Sequence, residues 1–317
     1  MTTLSEISKL IKGANSVAIF FHVRPDGDSV GSGLALYRAI KSMGKKVGVH
    51  CADTVPTRFN FLPDFKEIKK KLDSEYDLFI SLDCADVERM GELSYDFATF
   101  KNTVNIDHHI SNPRYAKFNY VVDTASNCEN VYALIKELNI TPDKQTADLL
   151  LMGLLTDTGG LRHRNVQEET LIVASQLVKL GGDITDLSYR MFTAQSKERA
   201  KLFGKVMSDI KYYLNDRLAI ATVFKRDLDL TNAKREETEG FIDFVMGIEG
   251  VEVGICLTEM ENGSFKASMR SKSADVSKVA GEFGGGGHVL ASGCQLFTDY
   301  YDVIDKLTFT VSKYLED

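Results

Sequence analysis

The chain has 317 residues, of which 44% are hydrophobic and 26% are charged, and this composition is typical of a globular protein with one large or two ordinary domains. Its net charge of −7 argues against a broad basic surface for long duplex nucleic acid, because phosphate neutralisation supplies most of that affinity. No apolar run approaches the length of a membrane helix, and the first residues lack the pattern of a signal peptide. We therefore expect a cytoplasmic protein that binds no membrane and acts on small phosphorylated partners.

The cysteine pattern supports the same compartment. Five cysteines lie far apart in the sequence, and none forms a CxxC pair. An odd, scattered set argues against a disulfide framework and against a thiolate zinc site. The five residues are Cys51, Cys84, Cys128, Cys256 and Cys294.

The first two-thirds of the chain alternate between strand-like and helix-like segments. Short apolar, β-branched runs predict strands, and apolar residues spaced near 3.6 predict helices. The predicted strands are Ser16–Phe21, Lys46–His50, Asp77–Cys84, Thr103–Ile106 and Phe118–Val122, and the predicted helices are Gly31–Lys41, Val131–Leu138, Gln145–Leu155 and Gln167–Leu180. This alternation predicts an α/β fold with a doubly wound, mainly parallel sheet.

The last third predicts a second, smaller α/β domain. Apolar residues recur on one face of Ser196–Leu214, which predicts a long helix. Strands are predicted at Arg217–Phe224, Val251–Met260 and Ser264–Met269, with a hairpin loop at Glu261–Gly263 and a short helix at Ala274–Glu282. We expect a catalytic domain over residues 1–195, a connecting helix over residues 196–214 and a substrate-binding domain over residues 215–317.

Acids and imidazoles collect at the predicted ends of these elements. His22, Asp26 and Asp28 follow the first strand, where open α/β sheets bind ligands. A dinucleotide-binding turn is the alternative here, but the glycine spacing differs from GxGxxG and two aspartates would repel a bare pyrophosphate. Further candidates are Asp83 after the next long apolar strand, Asp107, His108 and His109 after another, and Asp157 after a long apolar stretch.

Taken singly, each acid is explained as a turn or helix-cap residue, and the histidine pair as buried and hydrogen-bonded. Together they would repel one another strongly in one pocket unless cations were present. Mixed imidazole and carboxylate ligands without thiolate favour two Mn²⁺ ions, with Mg²⁺, Fe²⁺ and Zn²⁺ as alternatives. Such a pair suits hydrolysis at phosphorus, because it activates water and stabilises the charge of the transition state.

These segments resemble the four ordered motifs of the DHH phosphoesterases, a RecJ-like family. The motifs are HxxxDxD at His22–Asp28, the single Asp83, Asp107-His108-His109, and Asp157 in TDTGG. Near the other end, SMRS at Ser268–Ser271 and GEFGGGGHVLASG at Gly281–Gly293 resemble the DHHA1 domain that accompanies them. The compact arrangement is similar to the NrnA-type branch of oligoribonucleases and 3′-phosphoadenosine-5′-phosphate (pAp) phosphatases.

The resemblance implies roles for individual residues. One cation would be held by His22, Asp26 and Asp83, and the other by Asp28, Asp83, His108 and Asp157, so that Asp83 bridges them. His109 would contact substrate phosphate, and Asp107 would orient its neighbours. The expected catalytic residues are therefore Asp83, Asp107, His108 and His109, and the family metal is usually Mn²⁺.

The second domain offers groups suited to binding an anion. Successive glycines allow backbone N–H groups to converge, and an arginine fork binds phosphate through two hydrogen bonds. A flexible connection and a surface ion pair are the alternatives for these features. The expected substrate-binding residues are His109, Arg114, Arg270, Ser271, Gly285, Gly286, Gly287 and His288, with Arg162, His163 and Lys272 as further candidates.

The expected function is degradation of short single-stranded RNA to mononucleotides, together with conversion of pAp to AMP. One alternative is hydrolysis of linear or cyclic dinucleotides. Another is a pyrophosphatase or exopolyphosphatase, although the lysine- and arginine-rich motif of such pyrophosphatases is missing from the sequence. A metal-binding regulatory protein without turnover belongs to a different class, and both a monomer and a homodimer remain open.

Overall fold

A computed structural model describes residues 2–315 of the chain. These residues form two compact units, and the division falls between Ala194 and Gln195. Within the described range, no helix is both long enough and apolar enough to span a bilayer.

The first unit is built on a six-stranded sheet in which every neighbouring pair is parallel. Its strands are β1 Ser16–Phe21, β2 Lys46–His50, β3 Ile68–Lys69, β4 Leu78–Leu82, β5 Thr103–Asp107 and β6 Phe118–Val121, in the spatial order β3-β2-β1-β4-β5-β6. The predicted parallel sheet is confirmed, and only the two-residue edge strand β3 is additional.

Helices cover both faces of this sheet, as in a doubly wound fold. They are α1 Leu4–Gly13, α2 Gly27–Ser42, α3 Ser94–Thr99, α4 Asn127–Glu137, α5 Lys144–Asp157, α6 Glu168–Lys179 and α7 Ile184–Ser188, followed by a π-helical turn at Tyr189–Thr193. Strand β1 shows the two-sided burial directly. Ile19 packs in the core shared with α2, α4 and α5, whereas Phe20 packs against Phe97 of α3 on the opposite face.

The order of the strands determines where a ligand can bind. From β1 the chain crosses to β2 on one side, whereas β4, β5 and β6 follow one another on the other side. Strands β1 and β4 therefore flank the point where the winding reverses, and open α/β sheets bind ligands beyond the carboxyl ends of such strands. His22 directly follows β1 and Asp83 directly follows β4.

The second unit contains a six-stranded mixed sheet. Its elements are α8 Lys197–Ser208, β7 Lys211–Tyr213, β8 Leu218–Val223, α9 Lys225–Thr231, α10 Phe241–Met246, β9 Val253–Glu259, β10 Phe265–Ser271, α11 Val276–Gly281, β11 Gly286–His288, β12 Ala291–Leu296 and α12 Tyr300–Ser312. The strand order is β11-β12-β10-β9-β8-β7, and β8–β9 is its parallel pair. The predicted hairpin between β9 and β10 is confirmed, with Gly263 at a φ of 77°.

The predicted helix over Ser196–Leu214 is too long. It ends at Ser208, and Lys211–Tyr213 instead pairs with β8 as an antiparallel strand. Leu214, Asn215 and Asp216 all have positive φ, so they form a tight turn that the apolar periodicity did not indicate. The helix belongs to the second unit and buries Leu202 and Val206 there.

Candidate metal centre

The segment after β1 places two of its three candidate ligands, Asp26 and Asp28, at the start of a helix. Asp26 is the N-cap of α2, where its side chain accepts a 3.0 Å hydrogen bond from the Ser29 N–H. The helix therefore begins at Gly27, earlier than the predicted start at Gly31, and Asp28 lies in its first turn rather than in a loop. Asp28 is buried, whereas the Asp26 side chain is 52% exposed.

Asp83 occupies a strained position at the centre of the site. It follows β4 with a φ of 56°, in the left-handed region that a non-glycine residue adopts only at a cost of roughly 1–3 kcal/mol. Its backbone N–H donates to the Ile106 carbonyl at 3.1 Å, and the residue is only 2% exposed. The neighbouring strand thus holds the carboxylate in this conformation.

Two histidines are oriented by backbone carbonyl groups. His22 Nδ1 lies 2.9 Å from the Val23 carbonyl oxygen, and His108 Nδ1 lies 3.0 Å from that of Thr124. A carbonyl can only accept, so each Nδ1 carries a proton and donates it. This arrangement leaves both Nε2 atoms as the available ligand atoms.

The predicted ligands form two groups that meet at Asp83. One group comprises His22, Asp26 and Asp83, the other comprises Asp28, His108 and Asp157, and the ligand atoms within each group lie within 4.8 Å of one another. Asp83 Oδ2 is 3.5 Å from His22 Nε2, and Asp83 Oδ1 is 3.3 Å from His108 Nε2. The structure therefore brings all six predicted metal ligands together.

Four carboxylates lie close to two imidazoles in this site, and these neighbours shift one another's pKa values. Burial disfavours the charged form of His22, but contacts with Asp26 and Asp83 outweigh it and raise its pKa to about 10. Burial likewise opposes protonation of His108, yet Asp83 and Asp28 raise its pKa to about 11. Burial, together with the charge of Asp28, raises the pKa of Asp157. Excess negative charge thus remains even with both imidazoles protonated.

These residues fit divalent cations. Asp83 Oδ1 is buried and accepts no hydrogen bond, which is costly unless another positive partner is present. The donor set consists of carboxylate oxygens and imidazole nitrogens, and it suits Mn²⁺, Mg²⁺, Fe²⁺ or Zn²⁺. A third group of Asp83, His108 and His109 overlaps the first two and adds His109 to the rim.

His109 is held mainly by Asp107, and its Nδ1 also lies 3.8 Å from Asp83 Oδ1. Its Nδ1 donates to Asp107 Oδ1 at 2.8 Å, and this hydrogen bond raises the pKa of His109 above its ordinary value. Asp107 is fully buried and also accepts from Asn112 Nδ2 at 2.6 Å. The His109 side chain is 39% exposed, so it remains accessible from solvent.

The residues that support the ligands were not predicted from the sequence. Asp28 accepts hydrogen bonds from Ser126 Oγ at 2.6 Å and from the N–H groups of Asn127 and Cys128 at 2.6 and 3.0 Å, all at the start of α4. The Ser-Asn pair before a helical pattern is an N-cap signal that could have located this helix start. Asn112 carries no comparable local signal, because its role depends on tertiary contact with Asp107.

Glycines in α2 and α5 allow the close packing that places Asp28. An added Cβ at Gly31 would lie 2.5 Å from the Leu149 carbonyl oxygen, and one at Gly153 would lie 2.3 Å from Cys128 Sγ. An added Cβ at Gly27 would similarly meet the Thr156 side chain at 2.2 Å. Gly27 and Gly31 are therefore needed for close contact between α2 and α5. This packing role explains these glycines without a dinucleotide-binding turn.

We expect Gly31→Ala to lower the free energy of unfolding by about 2 kcal/mol, because the new methyl group meets a backbone carbonyl that cannot rotate away. Thermal unfolding measured by calorimetry should show a Tm lower by roughly 5 °C. The control is Gly204→Ala in α8, where an added Cβ meets nothing within 4 Å. That variant should be unchanged or slightly stabilised, and an equal loss in both variants would contradict this packing argument.

Other first-unit candidates lie around the centre with less definite contacts. Arg114 is exposed, and its backbone N–H donates to Asn112 Oδ1 at 2.7 Å. Arg162 and His163 lie in the turn after Asp157, and His163 Nδ1 is 3.3 Å from the Asp157 carbonyl oxygen. The His163 side chain thus contacts the backbone of a predicted ligand, and the Arg114 backbone is hydrogen-bonded to the Asn112 side chain.

In the second unit, Arg270 and His288 lie on one row of the sheet. His288 of β11 pairs with Ala291 of β12, and Ala291 pairs with Arg270 of β10. Residues opposite one another in paired strands point to the same face, so these two exposed residues share a face with a small alanine between them. Ser271 is buried, with its Oγ accepting from the Ser273 N–H at 3.1 Å, and Lys272 is exposed.

The predicted glycine loop is partly a strand, and its proposed N–H cradle is wrong for Gly285. The N–H groups of Gly284 and Gly285 donate to the Gly281 and Ala280 carbonyls at 3.1 and 2.9 Å, so they are not free to bind an anion. Gly286 and Gly287 pair with β12. Glycine is needed at Gly285 because an added Cβ would lie 2.2 Å from the Gly293 carbonyl oxygen.

Comparison with known proteins places this geometry in a family. Residues 16–154 match the DHH family, N-terminal domain, and residues 215–317 match the DHHA1 domain. A Thermus thermophilus protein named bifunctional oligoribonuclease and PAP phosphatase NrnA is 34% identical over 93% of this chain and 88% of its own length. A Streptococcus mutans protein with the probable form of that name is 29% identical over 94% and 95%.

The fold has a close counterpart among solved structures. The crystal structure of an exopolyphosphatase-related protein from Bacteroides fragilis superposes with a TM-score of 0.88 and 27% identity, covering 98% of this chain and 96% of that one. Three comparisons indicate the same family and fold. They are the two domain matches, the similarity to the Thermus protein over most of the chain, and this superposition. The chain therefore belongs to the DHH family of phosphoesterases, with a DHH N-terminal domain followed by a DHHA1 domain.

Proposed function

We propose that this chain degrades short single-stranded RNA to mononucleotides and converts pAp to AMP, with the help of two divalent cations. The observation that carries the proposal is the pair of ligand groups that meet at the two oxygens of Asp83. The similarity to the Thermus and Streptococcus proteins, both named for these two activities, supports the same substrates. Both substrates offer a phosphate ester near a chain end.

The cations would be held by the six residues that the site brings together. His22, Asp26 and Asp83 would hold one, and Asp28, Asp83, His108 and Asp157 the other, with Asp83 shared. When bound, such a pair supplies an acidified water molecule and positive charge for the phosphate oxygens. The donor set favours Mn²⁺ among the candidate metals, and cation binding would offset the burial and the repulsion by Asp28 that together raise the pKa of Asp157.

His109 would bind and orient the phosphate that is cleaved. Its hydrogen bond to Asp107 fixes the Nδ1 proton and favours the protonated ring, so Nε2–H is available as a charged donor. Asp107 in turn is held by Asn112 and shielded from solvent. His109, held by Asp107, therefore presents a positive donor beside a site in which carboxylates outnumber imidazoles.

The second unit would bind a phosphate of the nucleotide substrate. Arg270 offers a planar fork for a phosphate, and His288 offers a second donor two strands away on the same face. Ser271, Gly285, Gly286 and Gly287 would shape this surface, with Gly285 acting through close packing rather than through a free N–H. Arg114 is the remaining proposed phosphate contact.

We also propose that the enzyme acts in the cytoplasm. All five cysteines are free and buried, which supports a reducing cytoplasm. A homodimer stays a prediction, and light scattering of the purified chain would decide between monomer and dimer.

The test is a substrate panel with product identification by mass. Purified protein with Mn²⁺ is incubated with RNA of two to five nucleotides, pAp, linear and cyclic dinucleotides, pyrophosphate and polyphosphate. We expect mononucleotides from the short RNA and AMP from pAp, at rates at least about tenfold above those on pyrophosphate or polyphosphate. Phosphate release from polyphosphate without RNA cleavage would replace this proposal with the exopolyphosphatase alternative.

A further inference from the structure

The turn that follows Asp157 is hydrogen-bonded to Thr158 and to Asp157 itself. The Thr158 carbonyl accepts from the N–H groups of Arg162 and His163 at 2.9 and 3.0 Å. The Asp157 carbonyl accepts from Asn165 Nδ2 at 3.3 Å. Because these bonds join the turn to the backbone of a proposed metal ligand, groups displayed on the turn keep a fixed position beside the metal centre.

An aromatic ring lies against this turn while keeping much of its surface open. Gly160 has a φ of 72°, and a Cβ added there would lie 3.4 Å from the ring of Phe192. Phe192 belongs to the π-helical turn at Tyr189–Thr193, and such turns are rare and frequently occur at functional sites. The side chain is nevertheless 42% exposed. A ring needed only to brace the turn would gain more from full burial.

The side chain of Arg162 lies beside this ring. The Arg162 guanidinium lies 5.8 Å from the centre of the Phe192 ring, and its Nε donates to the Gly159 carbonyl at 2.6 Å. Within residues 2–315, this side chain pairs with no carboxylate. The hydrogen bond fixes the guanidinium and leaves its two terminal nitrogen atoms for another acceptor. The chain thus places a cation that pairs with no carboxylate beside a half-exposed ring, on the turn that follows Asp157.

We propose that Phe192 and Arg162 form a nucleotide subsite beside the metal centre, in which the ring stacks on a base and the guanidinium binds a phosphate oxygen. This inference rests on the proposed function and adds residues that set its preference for nucleotides. Bases of every type offer a flat face to an aromatic ring, so the subsite accepts nucleotides without strong sequence preference. A planar guanidinium is the group best suited to two phosphate oxygens.

The test compares three substrates in each variant, an RNA dinucleotide and the two matched dinucleotides in which one or the other base is replaced by hydrogen. The readout is the ratio of kcat/KM on the intact dinucleotide to that on its abasic counterpart. Loss of a stacking partner weakens nucleic-acid binding about tenfold. Phe192→Ala should therefore lower this ratio about tenfold for one abasic position, mainly through KM, and Phe192→Trp should preserve it. Tyr189→Ala is the matched control, because Tyr189 is a 58% exposed aromatic residue in the same π-helical turn.

Two outcomes would overturn the subsite. An equal loss on intact and abasic substrates would mean that Phe192 only supports the fold, and no loss on either would mean that the ring does not contact the base. If the wild-type chain cleaves no nucleotide at all, the proposed function fails separately. Calorimetric titration with AMP and Mn²⁺ then still decides the subsite, because weaker AMP binding by Phe192→Ala supports it and equal binding refutes it.

Discussion

Asp83→Asn is expected to lower kcat/KM on short RNA by at least about 100-fold, because both proposed cation groups lose their shared carboxylate. The fold should survive. The asparagine keeps the shape of the side chain, and the loss of attraction to His22 and His108 is partly offset by weaker repulsion of Asp28 and Asp157. We expect the Tm of the metal-free variant to stay within a few degrees of the wild-type value.

The control for this variant is Asp96→Asn, which removes an exposed carboxylate from α3. Its activity and Tm should match those of the wild type. The shared role of Asp83 would be contradicted if Asp83→Asn retained more than about a tenth of the wild-type rate with an intact fold, since loss of central ligation costs several kcal/mol of transition-state stabilisation.

Removal of divalent metal should abolish activity and lower stability together. Cations that bind only the folded state stabilise it by about 2.7 kcal/mol per site at a concentration 100-fold above Kd. With two sites, saturating Mn²⁺ should raise the Tm of the chelator-treated protein by roughly 10 °C, as measured by calorimetry. The physical source is relief of the repulsion among buried carboxylates.

The matched experiment repeats the Mn²⁺ titration on Asp83→Asn and Asp96→Asn. Asp96→Asn should show the full rise in Tm, and Asp83→Asn should show less than half of it. An equal rise in both variants would place the stabilising cation elsewhere on the chain. Activity that persists after exhaustive chelation would contradict a metal-dependent reaction.

The helices and strands that could be predicted are those that a short stretch of sequence specifies by itself. Strand β1 and strand β2 have the predicted limits, because short runs rich in apolar, β-branched residues between turn residues are typical of strands. The candidate metal ligands could likewise be picked out from the sequence, since each lies between β1 and the first turn of α2, directly after β4 or β5, or at the end of α5. Convergence of these groups follows from parallel strands whose carboxyl ends share one edge.

The remaining features depend on contacts between distant parts of the chain. The end of α8 at Ser208 is set by pairing of Lys211–Tyr213 with β8, which no periodicity in the helix reports. Asn112 supports Asp107 only because tertiary structure brings it there. Phe192 reaches Gly160 across 32 residues of sequence, through a π-helical turn that has no composition signal.

The most direct test of the central claim is a crystal structure of the wild-type chain grown with Mn²⁺, with anomalous diffraction used to locate the ions. Two anomalous peaks are predicted, one among His22, Asp26 and Asp83 and one among Asp28, His108 and Asp157, with the Asp83 carboxylate touching both. A structure with these residues in the same places but no peak between them, or with one peak that Asp83 does not contact, would contradict the account.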